Sequence, residues 1–81
     1  QNYPNPFNPN TTIEFSIPNK ENVQIAVYNI LGQKVTTVIN ETLESGSHTV
    51  QWNAQPYASG LYFYEMRSGT FAAVKKMILM K

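Results

Sequence analysis

The chain has 81 residues, six Lys or Arg against five acidic residues, a net charge of +1, one His and no Cys. That length makes one domain with a modest core, and a net stability of about 4–12 kcal/mol. The balance excludes a nucleic-acid protein, which needs a dense basic face; disulfide and thiol chemistry are absent, and no apolar run is long enough for a membrane-spanning helix.

The N-terminal stretch Tyr3-Pro4-Asn5-Pro6-Phe7-Asn8-Pro9 predicts a stiff, extended arm over residues 1–10. Proline fixes φ and removes a donor, so neither helix nor central strand suits it. Phe7, set between prolines, is expected to dock its ring on the domain that follows. The first residue is Gln1 rather than Met, and no secretory signal is visible. A piece of a longer protein is therefore expected, with any signal peptide on the missing part.

Beyond the arm, turn formers punctuate the chain at Pro18–Asn22, Asn29–Gly32, Asn40–Gly46, Asn53–Gly60 and Ser68-Gly69. Thr12 to Ile17 alternates, with Ile13, Phe15 and Ile17 on one face. Asn22 to Val27 repeats the pattern with Val23, Ile25 and Val27. Gln33 to Ile39 is rich in Val and Thr, as strands are. His48 to Trp52 alternates again. Leu61 to Arg67 sets Tyr62, Tyr64 and Met66 on one side and Leu61, Phe63, Glu65 and Arg67 on the other. Short strands at this spacing predict an all-β, immunoglobulin- or fibronectin-like antiparallel sandwich of about seven strands over residues 11–81. Trp52, Tyr64, Phe15 and Ile25 are expected in one core.

The final segment has two readings. Phe71, Val74, Ile78 and Lys81 fit helical spacing; as a strand, Ala72, Val74, Ile78 and Met80 share a face interrupted by Lys76. Arg67-Ser68-Gly69-Thr70 has the form of a tight hairpin connection, and a sandwich leaves no sheet face for a helix to cover. Both points favour the strand.

Ser59 to Tyr64 is similar to the sixth strand of immunoglobulin and fibronectin domains. In those domains a tyrosine near the strand start bonds back to the backbone, two residues before a core position. Tyr62 would be that tyrosine, Tyr64 the core residue and Gly60 the source of a positive φ. The plainer reading makes both tyrosines ordinary core aromatics. They differ only in where the Tyr62 hydroxyl goes.

Little points to catalysis. No Asp is present and the glutamates are scattered, against a carboxylate calcium loop. His48 has no histidine partner for a metal and shares parity with Val50 and Trp52, so a partly buried structural role is expected. No nucleophile-elbow or phosphate-loop pattern occurs. No catalytic residue, cofactor or metal is expected. Asn10-Thr11-Thr12 and Asn40-Glu41-Thr42 satisfy the glycosylation triplet but arise readily by chance in an Asn- and Thr-rich chain. Lys75 and Lys76, as strand neighbours, point to opposite faces. They blunt an edge strand against aggregation, or present a feature for another protein to read.

Six motifs in order then resemble a known family. They are Tyr3-Pro4-Asn5-Pro6-Phe7, its continuation Asn8 to Ile13, the Val27-Tyr28-Asn29-Ile30-Leu31-Gly32 turn, Gly46 to Trp52 with its Gly-x-His-x-x-x-Trp spacing, Ala58 to Tyr64, and Lys75-Lys76-Met77-Ile78-Leu79-Met80-Lys81. Together the chain resembles the C-terminal sorting domain of cargo exported by the bacterial type IX secretion system, in its commoner class. The fold is also similar to the Ig-like part of the flagellar hook-capping protein. Asn29 and Asn53 stand where the family often has Asp, both at turns that Asn fills equally well.

The resemblance implies a non-catalytic C-terminal address on a larger cargo, read in the periplasm or at the outer-membrane translocon. It implies a cell-surface sortase that cuts the domain away, and a cargo delivered to the cell surface or medium. The positions it singles out are Pro4, Asn5, Pro6, Phe7, Gly60, Tyr62, Lys75, Lys76, Met77, Leu79 and Lys81. The competing reading is an Ig-like spacer or carbohydrate-binding accessory module of an extracellular hydrolase, which would expose coplanar aromatics. Trp52 would be its first candidate, although its parity with Val50 argues for the core.

Overall fold

The computed structural model describes Asn2–Tyr3 and residues 10–80. The chain forms β1 (Asn2–Tyr3), β2 (Asn10–Ile17), β3 (Glu21–Asn29), β4 (Lys34–Leu43), β5 (Gly46–Asn53), β6 (Gly60–Ser68) and β7 (Phe71–Leu79). Six of these are full strands; β1 is a two-residue strip on the edge of β2. No helix occurs among the described residues. One sheet has the order β1-β2-β5 and the other β4-β3-β6-β7, with every pairing antiparallel. The β2–β3, β4–β5 and β5–β6 connections cross between sheets, as they do in immunoglobulin-type sandwiches.

Alternation builds the core directly. Val23, Ile25 and Val27 on β3 are fully buried, and Tyr62, Tyr64 and Met66 on β6 lie beside them. Ile13, Ile17 and Trp52 face them from the other sheet, with Phe15 and Val50 half-buried against the same cluster. The expected grouping of Trp52, Tyr64, Phe15 and Ile25 is therefore found. Trp52 belongs to the core and is not a sugar-stacking platform.

The last segment is a strand. The hairpin from β6 turns through Gly69-Thr70, between the paired Ser68 and Phe71. Gly69 takes φ +61° at the first central position, as a two-residue II′ turn requires. A Cβ there would also lie 2.8 Å from the Glu21 carboxylate, which accepts a bond from the Ser68 hydroxyl.

The expected shared face of Ala72, Val74, Ile78 and Met80 on β7 is found and is the outer one; Met77 and Leu79 are the residues that enter the core. The cause is the register. Met77 pairs with Tyr62, whose side chain points inward, and directly paired residues share a face. One expectation needs correction: Asn40 to Gly46, read as a turn, is mostly strand. β4 runs on to Leu43, because its end pairs with the start of β3 through Glu21↔Leu43, and the turn shrinks to Glu44-Ser45. β4 also carries two irregularities against β3, at Ile25/Ala26 and Val27/Tyr28. The extra residues they leave on β4 are Val38 and Val35, and both pack on the core.

Candidate functional site

The region where the expected site residues gather is the junction of the β5–β6 loop with the β6–β7 pair. Gly60 opens β6 at φ +152°, a conformation that side chains disfavour, and pairs with Leu79. Two residues on, the Tyr62 O–H donates to the Ala58 carbonyl at 2.6 Å. This settles the hydroxyl's destination: Tyr62 is a corner tyrosine, and Tyr64 fills the buried position after it.

Trp52 meets the Tyr62 ring edge-on, centroids 5.7 Å apart at 67°, and lies tilted against Tyr57 at 5.5 Å. Such aromatic pairs favour edge-to-face geometry because ring edges are positive and faces negative. The Tyr57 hydroxyl points to the Val35 carbonyl across the sandwich, at a long 3.4 Å. The Tyr57 N–H donates to the Ala54 carbonyl at 2.9 Å, and Ala54 is fully buried. The loop is thus pinned at both ends of its path. The aromatics a carbohydrate platform would need, Trp52, Tyr57 and Tyr62, pack on one another and hold the loop.

Gly60, Tyr62, Met77 and Leu79 therefore come together as one latch, in which Tyr62, Met77 and Leu79 are buried and Gly60 is exposed. The lysines do not join them. Lys75 has the parity of Met77 but sits farther along the β7 edge, opposite Tyr64, where it lines a cleft between β2 and β7 with Phe15 and Phe71. Its stem covers that cleft while the ammonium reaches solvent. Lys76 lies on the outer face opposite Phe63. Both residues are exposed, and the opposite-face expectation is met. Pro4, Asn5, Pro6, Phe7 and Lys81 lie outside the described residues, as does the expected docking of Phe7.

His48 has the structural role its parity predicts. The ring stacks on Phe15 at 5.7 Å and 28°, and Nε2 is 2.7 Å from the Glu44 carbonyl. A carbonyl only accepts, so Nε2 carries the proton. Among the described residues no three His, Cys, Asp or Glu converge. Burial raises the Tyr64 phenol above its ordinary value of 10.0. The ion pairs Lys20–Glu44 (3.5 Å) and Glu65–Arg67 (3.1 Å) are superficial and contribute little to stability.

The β3–β4 turn holds what the sequence reading passed over. Asn29 Oδ1 accepts from the Leu31 N–H at 2.9 Å and the Gln33 N–H at 3.0 Å, while Nδ2 donates to Gln33 Oε1 at 2.9 Å. Aspartate would accept the same two backbone bonds, so Asn serves the turn as expected. Ile30 and Leu31 project from its tip. The signal was an apolar pair within a turn, where polar residues usually stand.

The fold and the tyrosine latch define an immunoglobulin-type β-sandwich with its functional candidates on the last strand pair. Residues 1–80 match the model of the family described as the secretion system C-terminal sorting domain, and the chain belongs to that family, the sorting domains of type IX secretion. A domain of this family marks its protein for export to the cell surface or medium. No curated protein matches the chain.

Proposed function

We propose that this domain is the C-terminal address of a larger cargo, read as a folded unit in the periplasm or at the outer-membrane translocon, and then removed by a cell-surface sortase. The family match across residues 1–80 carries the reading. The domain does no chemistry of its own. Among the expected positions, Met77 and Leu79 are buried and contribute through the latch, so recognition falls to surface groups. Lys75 and Lys76 supply positive charge along the exposed edge of the four-stranded sheet. An edge strand accepts a partner strand through its free backbone groups, and charge sets encounter and register.

The test fuses the chain to a reporter with an inner-membrane signal peptide, in a bacterium that has a type IX system. The intact domain should carry the reporter to the surface or medium. The Lys75→Gln/Lys76→Gln/Lys81→Gln variant should leave it in the periplasm, folded. Normal export of that variant reduces the lysines to edge protection. Periplasmic retention of the intact fusion overturns the sorting role for this chain.

A further inference from the structure

One end of the four-stranded sheet carries an apolar surface that folding does not explain. Ile30 is 67% exposed, Leu31 77%, Ile78 40% and Met80 54%. The pairings Asn29↔Tyr62, Leu61↔Ile78 and Gly60↔Leu79 bring the β3–β4 turn, the start of β6 and the end of β7 to this same end. Leu61 and Ile78 share the outer face, because Tyr62 and Met77 beside them point inward. Scattered exposed apolar residues are ordinary on any protein; four gathered at one end, with Leu61 half-buried among them, are a patch that marks interaction.

The turn itself argues the same way. Its backbone is closed by the Gly32 N–H to the Asn29 carbonyl and the Asn29 N–H to the Gln33 carbonyl, both 3.0 Å, and by the Asn29 side chain. Gly32 supplies the positive φ. None of these bonds needs Ile30 or Leu31 to be apolar. The pair is held outward on a preorganised support, so docking it costs little ordering entropy.

Charge narrows the partner. Lys34, opposite Tyr28, and Lys76, opposite Phe63, flank the patch. Glu21 and Glu44 lie at the far end of the sheet, and Glu41 pairs with Val23 toward that end. Among the described residues the nearest carboxylate on this face, Glu65, is engaged by Arg67.

We infer that the Ile30-Leu31 tip, with Ile78 and Met80, is a docking surface for a protein of the export machinery that offers an apolar pocket rimmed by acidic side chains. This inference rests on the sorting role and adds an apolar contact, centred on the Ile30-Leu31 tip, that meets the C-terminal motif at Lys76, Ile78 and Met80.

The reporter fusion tests it with an Ile30→Ser/Leu31→Ser variant and, independently, Ile78→Thr/Met80→Gln. Each purified domain should keep the wild-type melting temperature and Trp52 emission. The exported fraction should fall about tenfold or more, as truncated interface anchors typically cost. Lys34→Glu should reduce export and Lys34→Arg should retain it. Wild-type export of both apolar variants overturns the inference and leaves the sorting role standing; retention of the unmodified fusion removes both. Sedimentation velocity and binding to phosphatidylglycerol vesicles complete the test. A dimer, or vesicle binding, that the Ser variant abolishes would assign the patch to a second copy or a lipid surface, and overturn the inference.

Discussion

Replacing Tyr62 by Phe deletes one oxygen and nothing else from the latch. The ring keeps its edge contact with Trp52, 5.7 Å between centroids, and its buried place beside Met77. What is lost is the 2.6 Å bond to the Ala58 carbonyl. Ala58 itself is exposed, so water can reach part of the freed acceptor. The cost then falls near the net worth of an ordinary intramolecular hydrogen bond, about 1 kcal/mol, and below the full penalty of an orphaned buried group. For a domain of this size 1 kcal/mol moves the melting midpoint by about 4–8 °C. Thermal unfolding followed by far-UV circular dichroism should show that drop for Tyr62→Phe. Tyr62→Ala removes the ring as well, at about 3–5 kcal/mol, which leaves a domain with only about 4–12 kcal/mol in hand marginal or unfolded. If Tyr62→Phe melts within ~1 °C of the wild type, the hydroxyl is not holding the loop and the corner assignment is wrong.

Trp52→Ala should cost about 3–5 kcal/mol for the same reason, burial of a large aromatic. In the intact protein Trp52 emission should resist acrylamide; quenching like that of free indole would contradict its place in the core. Gly69→Ala meets both a positive φ and the Glu21 carboxylate, and should destabilise by about 1–2 kcal/mol; an unchanged urea midpoint would refute the turn geometry. Tyr64 should titrate above the ordinary tyrosine value of 10.0 in ultraviolet absorbance, because burial disfavours its phenolate. Its folded value is raised, so between the unfolded and folded values the unfolded chain has lost a proton that the folded one keeps. Stability is therefore constant below the ordinary tyrosine range and falls as pH rises through it. An unfolding free energy that is flat across alkaline pH would contradict this.

Most of the fold was legible because one face of each central strand is buried and period 2 records burial. Ile13 and Ile17 alternate with polar neighbours and the Val23-Ile25-Val27 row follows Asn22 and Gln24, while on β6 the other parity carries Glu65 and Arg67 beside Leu61 and Phe63, so inner and outer faces were readable before any pairing was known. The turns at Gly32, Gly60 and Gly69 were readable too, since each places a glycine in a backbone that other residues resist. The corner tyrosine was visible as a possibility, but the hydroxyl's partner depends on how the β5–β6 loop folds back. β7 was different. Both of its parities carry apolar residues, so alternation could not choose between them, and the pairing of Met77 with Tyr62 decided. That decision buried Met77 and Leu79 and turned Ile78 and Met80 outward. β4 escaped in another way: its irregular pairing with β3 puts Val35 and Val38 on the core out of period. The apolar end formed by Ile30, Leu31, Ile78 and Met80 was the least legible of all, because its members are separated by nearly fifty positions (Leu31 to Ile78) in the chain. Only the register of β3, β6 and β7 brings them together.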